Sequence, residues 1–239
     1  MKLSTTVAYM QELDVAPEIK EQKKLRIIGC GRSGTRYSAS LFQALGLDIT
    51  HELDRELPGS TGRDGISSWF LAVDDPNPPN GPSDIGIDFQ YTLHQVRHPL
   101  LVIASFAQFI LKEGTRSPEF IERHIPGLKS DLDTNDLSIK QKLILQAARY
   151  WYEWNLMAEQ KATETLRLEE LDFHLDRICD LLDLPFDPDV PDLVSKKTNE
   201  RQWYIQEAPW VISWADLYSL DPVLTENIKN LSAKYGYEL

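Results

Sequence analysis

Hydrophobic and polar positions repeat with two different periods along this chain, and the changes of period mark its elements. Leu25, Ile27 and Ile28 form a short apolar run that reads as a buried strand of a parallel sheet. From Ser33 the period lengthens. Tyr37, Leu41, Ala44 and Leu45 recur at helical spacing, and Gly46 supplies a stop. Leu47–Thr50 predicts a second strand and Tyr91–Val96 a further one. Pro99 suits the first position of a helix that continues through Leu100–Ser105. A long helix is expected from about Ser138 to Lys161, where Leu143, Ala147, Tyr150, Trp151 and Trp154 share a face. Shorter helices are expected at Pro118–Arg123 and Val223–Tyr235. Residues 1–24 read as a charged helical lead-in, Asp74–Pro82 as a loop by its prolines and glycine, and Gly114–Ser138 as polar and proline-punctuated. No internal repeat or low-complexity tail breaks the pattern. Strands alternating with helices over 1–239 predict one α/β domain, with three αβα layers around a central, mainly parallel sheet.

The junction between the first strand and first helix carries the strongest chemistry. Gly29, Gly31 and Gly34 permit a tight turn, and free N–H groups at the helix start favour an anion. Ser33 and Thr35 add hydroxyl donors. The spacing of Gly29 and Gly34 fits the Walker A loop, G-x-x-x-x-G-K-[ST]. Thr35 stands where that loop has lysine, and Arg36 where it has the magnesium-binding hydroxyl. The phosphate cup is kept while the triphosphate lysine and metal hydroxyl are not, which makes the fold P-loop NTPase-like with a different ligand. Arg32 and Arg36 can neutralise a phosphate or sulfate without a metal. The plain alternative is a strand-to-helix turn whose glycines serve close packing.

A second anion site is expected on another strand. Arg97 follows Val96 at the strand's carboxyl end, where ligands of open parallel sheets lie. Ser105 comes eight residues later, about two helical turns on. Each of the two residues alone also fits an ordinary surface or helix position.

Together these segments resemble the sulfotransferase superfamily. Arg32-Ser-Gly-Thr35 is similar to that family's loop for the 5′-phosphosulfate of 3′-phosphoadenosine 5′-phosphosulfate (PAPS). Arg97-His-Pro-Leu-Leu-Val-Ile-Ala-Ser105 looks like its 3′-phosphate motif. The resemblance implies a PAPS-dependent sulfotransferase needing no metal. Gly31, Arg32, Ser33, Gly34, Thr35, Arg36, Arg97, Ser105 and Arg201 would bind the donor, and Arg32 would act in transfer. Arg36 departs from many relatives, which carry a second threonine there. By the same resemblance Glu52 is the favoured base, with His51 as neighbour or substitute; both also read as loop residues fixing local hydrogen bonds. Asp64 and Trp69 are further candidates to shape an acceptor pocket, a tryptophan such as Trp69 being more often a packing residue. Arg149–Asn155 resembles the family's aromatic helix, with most of its aromatics read as core; Thr165–Leu171 resembles its late strand ending in an acidic pair and reads as structural; Lys196–Arg201 resembles its late nucleotide-covering loop and reads equally as a solvated charged loop. The acceptor would be a small molecule or glycan, bound by loops around residues 52–88 and 112–137. A kinase-like phosphotransferase and a non-catalytic nucleotide-binding protein are the competing readings.

Composition narrows the partners. The 25 basic against 37 acidic residues give a net charge of −12, which argues against duplex nucleic acid. Two cysteines, Cys30 and Cys179, are too few for a disulfide framework or a metal cluster. No apolar run of about 18 residues predicts a membrane span, and the first residues lack a signal-peptide pattern, so a cytoplasmic enzyme is expected.

Overall fold

The computed structural model describes residues 21–52, 57, 59–79, 81, 83–110, 117–128, 136–198 and 210–238. Its strands are β1 (Glu21–Gly29), β2 (Ile49–His51), β3 (Gly65–Ser67), β4 (Ile87–Val96) and β5 (Glu164–Arg167). They form one sheet in the order β2-β3-β1-β4-β5, with every neighbouring pair parallel. The helices are α1 (Thr35–Ala44), α2 (Pro99–Ile110), α3 (Ser117–His124), α4 (Ile139–Lys161), α5 (Leu175–Leu182), α6 (Val190–Thr198), α7 (Trp214–Leu220) and α8 (Pro222–Lys234).

The two-residue period of the strands divides the core into two layers. Leu25, Ile27, Tyr91 and Leu93 point to one side, against Leu41 and Phe42 of α1 and Leu175 and Ile178 of α5. Ile28 and Val96 point to the other, against Val102 of α2, Trp151 and Trp154 of α4 and Ile228 of α8. Helices therefore cover both faces, which is why the strands read as nearly continuous apolar runs. Helix α4 begins at a reciprocal cap: the Ser138 hydroxyl accepts from the Gln141 amide, and the Gln141 side chain accepts from Ser138 N–H. No described helix is long and apolar enough to cross a membrane.

Three expectations shift. β1 starts at Glu21, so the last four residues of the expected lead-in are strand; they pair with β4 beyond the buried part of the sheet, where polar side chains are tolerated. Residues 1–20 lie outside the described residues. β3 was not foreseen, because three buried residues display no period. The late strand is shorter than Thr165–Leu171 suggests: β5 ends at Arg167, and Glu169 and Glu170 sit on a 3-10 turn over Leu168–His174.

The strand order fixes where a ligand belongs. The chain moves from β1 to one edge of the sheet and returns to place β4 on the other side of β1. The loops after β1 and β4 thus diverge from adjacent strand ends and open a crevice between them.

Candidate active site

β1 ends against β4 with Gly29 in register with Gln95. A Cβ at Gly29 would lie 2.3 Å from the Gln95 carbonyl oxygen and 2.8 Å from Ser33 Oγ, so only glycine lets the loop turn this close to its neighbour. The Gln95 side chain braces the loop from below. Its Nε2 donates to the Ser33 carbonyl at 2.6 Å, and its Oε1 accepts from the Ser38 hydroxyl. Gly34 then starts α1 in a left-handed conformation, φ 96°. The N-cap, Gly34, has no side chain with which to cap α1, and the first turn holds no acidic residue. The first amides and the positive end of the helix dipole are left to a ligand. Ser33 is 1% exposed, and its hydroxyl has no hydrogen-bond partner among the described residues. Such an orphaned donor costs about 1–3 kcal/mol until something accepts from it.

Strain concentrates at the same rim. Among the described residues three non-glycine residues have positive φ: Arg32 at 74°, Glu52 at 52° and Asp183 at 53°. Asp183 is the ordinary left-handed end of α5. The other two are the residues put forward for transfer and for proton removal. Each conformation costs about 1–2 kcal/mol, and such costs gather where function requires the geometry. Arg32 uses its own to reach across the crevice. Its Nε donates to Ser105 Oγ of α2 at 3.1 Å, and its guanidinium carbon stands 5.6 Å from the Phe109 ring centroid. The two segments expected to bind anions, joined here by residues 73 positions apart in sequence, are thereby in direct contact.

Arg97 follows β4 at the expected rim, half-exposed, and Pro99 opens α2 as expected. Arg36 is exposed on the first turn of α1. Thr35 is buried, and its hydroxyl lies 3.2 Å from His51 Nε2 at the end of β2. His51 thus stands against the anion loop. Glu52 comes next, its amide donating to the Ser67 carbonyl at 3.3 Å. The Gly31 amide donates to the Tyr150 hydroxyl at 2.9 Å, so it is engaged with the core side of the loop. Burial raises the Tyr150 pKa well above its usual value. Burial likewise pushes the Cys30 thiol up, keeping it protonated and inert.

Other expectations fare differently. Asp64 lies at the opposite end of β3, where its carboxylate accepts from the Asp48 amide and pairs with Arg63, so it does not line the crevice. Trp69 is packing: it contacts Phe120, Tyr150 and Trp154 edge-on or tilted, and its carbonyl accepts from Trp154 Nε1 at 2.9 Å. A cavity of about 650 Å³ lies between the 76–83 segment and α3, lined by Pro76, Pro79, Gly81, Phe120 and Arg123 among others. Gly81 backs onto the Glu52 backbone carbonyl, so the cavity adjoins the main chain at Glu52. Of the late loop, Lys196 to Thr198 belong to α6, and Arg201 lies outside the described residues. Sequence reasoning missed Gln95 and Tyr150 as supports of the anion loop. The aromatic periodicity of α4 marked Tyr150 as core but not as a partner for Gly31.

No protein-family model and no curated protein matches the sequence. The structure resembles sulfotransferases. It is similar to mouse sulfotransferase SULT7A1 complexed with PAP, at 15% identity and a TM-score of 0.40, over 74% of this chain. The chain spans 64% of that protein's length. It is similar to the sulfotransferase domain of the Synechococcus PCC 7002 olefin synthase at 15% identity and a TM-score of 0.45, over 93% of this chain and 98% of that one. It is also similar to the sulfotransferase domain of the curacin biosynthetic pathway at 13% identity and a TM-score of 0.41, over 92% of this chain and all of that one. All three TM-scores lie below 0.5, so these likenesses carry no argument, and the chemistry rests on the site itself.

Proposed function

We propose that this protein is a sulfotransferase that uses PAPS and acts on a hydroxyl or amine of a small molecule or glycan. The observation that carries this is the bond from Arg32 to Ser105, which joins two anion-binding segments on adjacent strand ends. A single-phosphate site needs one such segment; a donor phosphorylated at both ends needs two.

The residues fit that donor. The uncapped α1 amides, the orphaned Ser33 hydroxyl and the glycine-lined turn suit a phosphosulfate, and Arg97 suits a second phosphate. When bound, PAPS would supply an activated sulfuryl group: the S–O bond to its 5′-phosphate breaks, an S–O or S–N bond forms to the acceptor hydroxyl or amine, and the acceptor loses a proton. Arg32 holds a permanent positive charge at the crevice, where negative charge grows on the departing phosphate. Ser33, Gly34 and Thr35 orient the 5′ end, with Arg36 adding charge from the exposed side. Glu52 takes the acceptor proton, with His51 beside it holding the Thr35 hydroxyl in place. No residue at position 35 or 36 reproduces the lysine and hydroxyl of a magnesium-dependent triphosphate loop.

Incubation with sulfur-labelled PAPS, a cell extract and EDTA tests this. Labelled product is expected. Arg32→Ala should lower turnover by about 10²–10³-fold, the effect of losing one transition-state donor, while affinity for adenosine 3′,5′-bisphosphate drops far less. Unchanged turnover in that variant, or transfer from magnesium–ATP alone, would overturn the proposal.

A further inference from the structure

The Arg97–His98 segment is held from outside its own strand. After α8 the chain turns at Gly236 and lays Tyr237 against it, with the His98 and Tyr237 ring centroids 5.4 Å apart and the rings nearly perpendicular. His98 Nδ1 is buried with no hydrogen-bond partner among the described residues, so packing on Tyr237, and not a bond at that nitrogen, fixes the imidazole.

Tyr237 is itself clamped by the end of β5. Its hydroxyl donates to Glu169 at 2.9 Å, and the Arg167 guanidinium carbon lies 5.4 Å from its ring centroid. Arg167 also donates to the Gly236 carbonyl at 2.5 Å and pairs with Glu170. Arg167 is the register partner of Val96, the residue before Arg97. The clamp therefore spans the two strand ends that frame Arg97. The Tyr237 amide, bonded to the Ser232 carbonyl at 3.0 Å, ties it back to α8.

We infer that Tyr237 is a positioning residue for the second anion segment: through His98 it sets the direction of Arg97, and with it the preference for a nucleotide bearing a 3′-phosphate. The inference rests on the function proposed above. It adds to it a residue some 140 positions from Arg97 in sequence, so no local motif contains it.

Calorimetric titration with adenosine 3′,5′-bisphosphate and with AMP tests it in wild type, Tyr237→Leu and Tyr237→Phe. Wild type should favour the bisphosphate by at least about tenfold, the discrimination expected of one charge-assisted phosphate contact. Tyr237→Leu should cut that preference to about threefold or less, with AMP affinity unchanged; Tyr237→Phe, which keeps the ring, should retain it. In turnover assays Tyr237→Leu should raise the donor KM and leave kcat nearly intact. In wild type, amide exchange at 236–238 should slow with the bisphosphate and not with AMP, because coupling between sites is reciprocal; this reading needs no variant to fold. A preference preserved in Tyr237→Leu, affinities for both nucleotides falling together, or equal protection by both nucleotides would overturn the role of Tyr237 alone. A wild type that shows no preference would overturn the proposed function and this inference with it.

Discussion

The loop after β1 and the loop after β4 leave adjacent parallel strands at one rim, yet they are built on different principles. The first offers main chain to the proposed anion. It has a left-handed Arg32 and Gly34, a helix whose N-cap is a glycine, a close approach at Gly29 that a Cβ would block and a buried hydroxyl without a partner among the described residues. Those features are unfavourable in the free protein and are relieved by an anion. The second offers the proposed anion one side chain, Arg97. Its backbone is relaxed, and Pro99 presets the helix that follows. Its supports come from elsewhere in the chain: Tyr237, and the β5 end that clamps Tyr237. The first site is strained and local, the second relaxed and assembled from distant parts.

The largest effect should come from filling the space that the first loop requires. Gly29→Ala would drive a Cβ into the Gln95 carbonyl, which belongs to the sheet backbone and cannot swing aside. Denaturant titration should show a loss on the order of 3 kcal/mol or more, with the β1–β4 register disturbed at the rim. A loss under about 1 kcal/mol would mean that the close approach is not needed.

Acid should act on the second half next. His94 of β4 is buried between Thr165 of β5 and Asn155 of α4, at 3.1 Å from each, and burial lowers its pKa to about 4. The native state keeps His94 neutral, while the unfolded chain takes up a proton near pH 6.5. Its contribution is fully present above pH 6.5 and is lost progressively as pH falls toward 4. The shift corresponds to roughly 3 kcal/mol of stability over that window. Unfolding free energies measured across it should show the slope, and His94→Gln should flatten it.

A smaller change should separate strain from support. Ser33→Ala removes the orphaned hydroxyl, so the free protein should gain about 1 kcal/mol in thermal or chemical unfolding. The same variant should bind adenosine 3′,5′-bisphosphate several-fold more weakly. A destabilised free protein would show that the hydroxyl already has a partner.

The same division explains what could be read from the sequence. The β1–α1 junction was legible because glycines, hydroxyls and arginines lie within eight residues of one another and the period changes around them. Arg97 was legible because a proline-led helix follows it. Helix α4 was legible by its apolar spacing. What stayed hidden joins distant residues or lacks a period: the three-residue β3, the bond from Gly31 to Tyr150 across 119 positions, the brace from Gln95 to Ser33, and the contact of Tyr237 with His98. Asp64 misled because acidic residues near a rim motif look functional until the register puts them at the other end of the strand.

The most direct test of the central claim is a titration of the wild-type protein in EDTA with adenosine 3′,5′-bisphosphate, AMP and ATP, repeated with Arg97→Ala. Two anion segments that work without a metal predict tight binding of the bisphosphate, binding of AMP and ATP at least about tenfold weaker, and loss of that difference in Arg97→Ala. Equal binding of the three nucleotides, or bisphosphate binding that appears only when magnesium is restored, would contradict it.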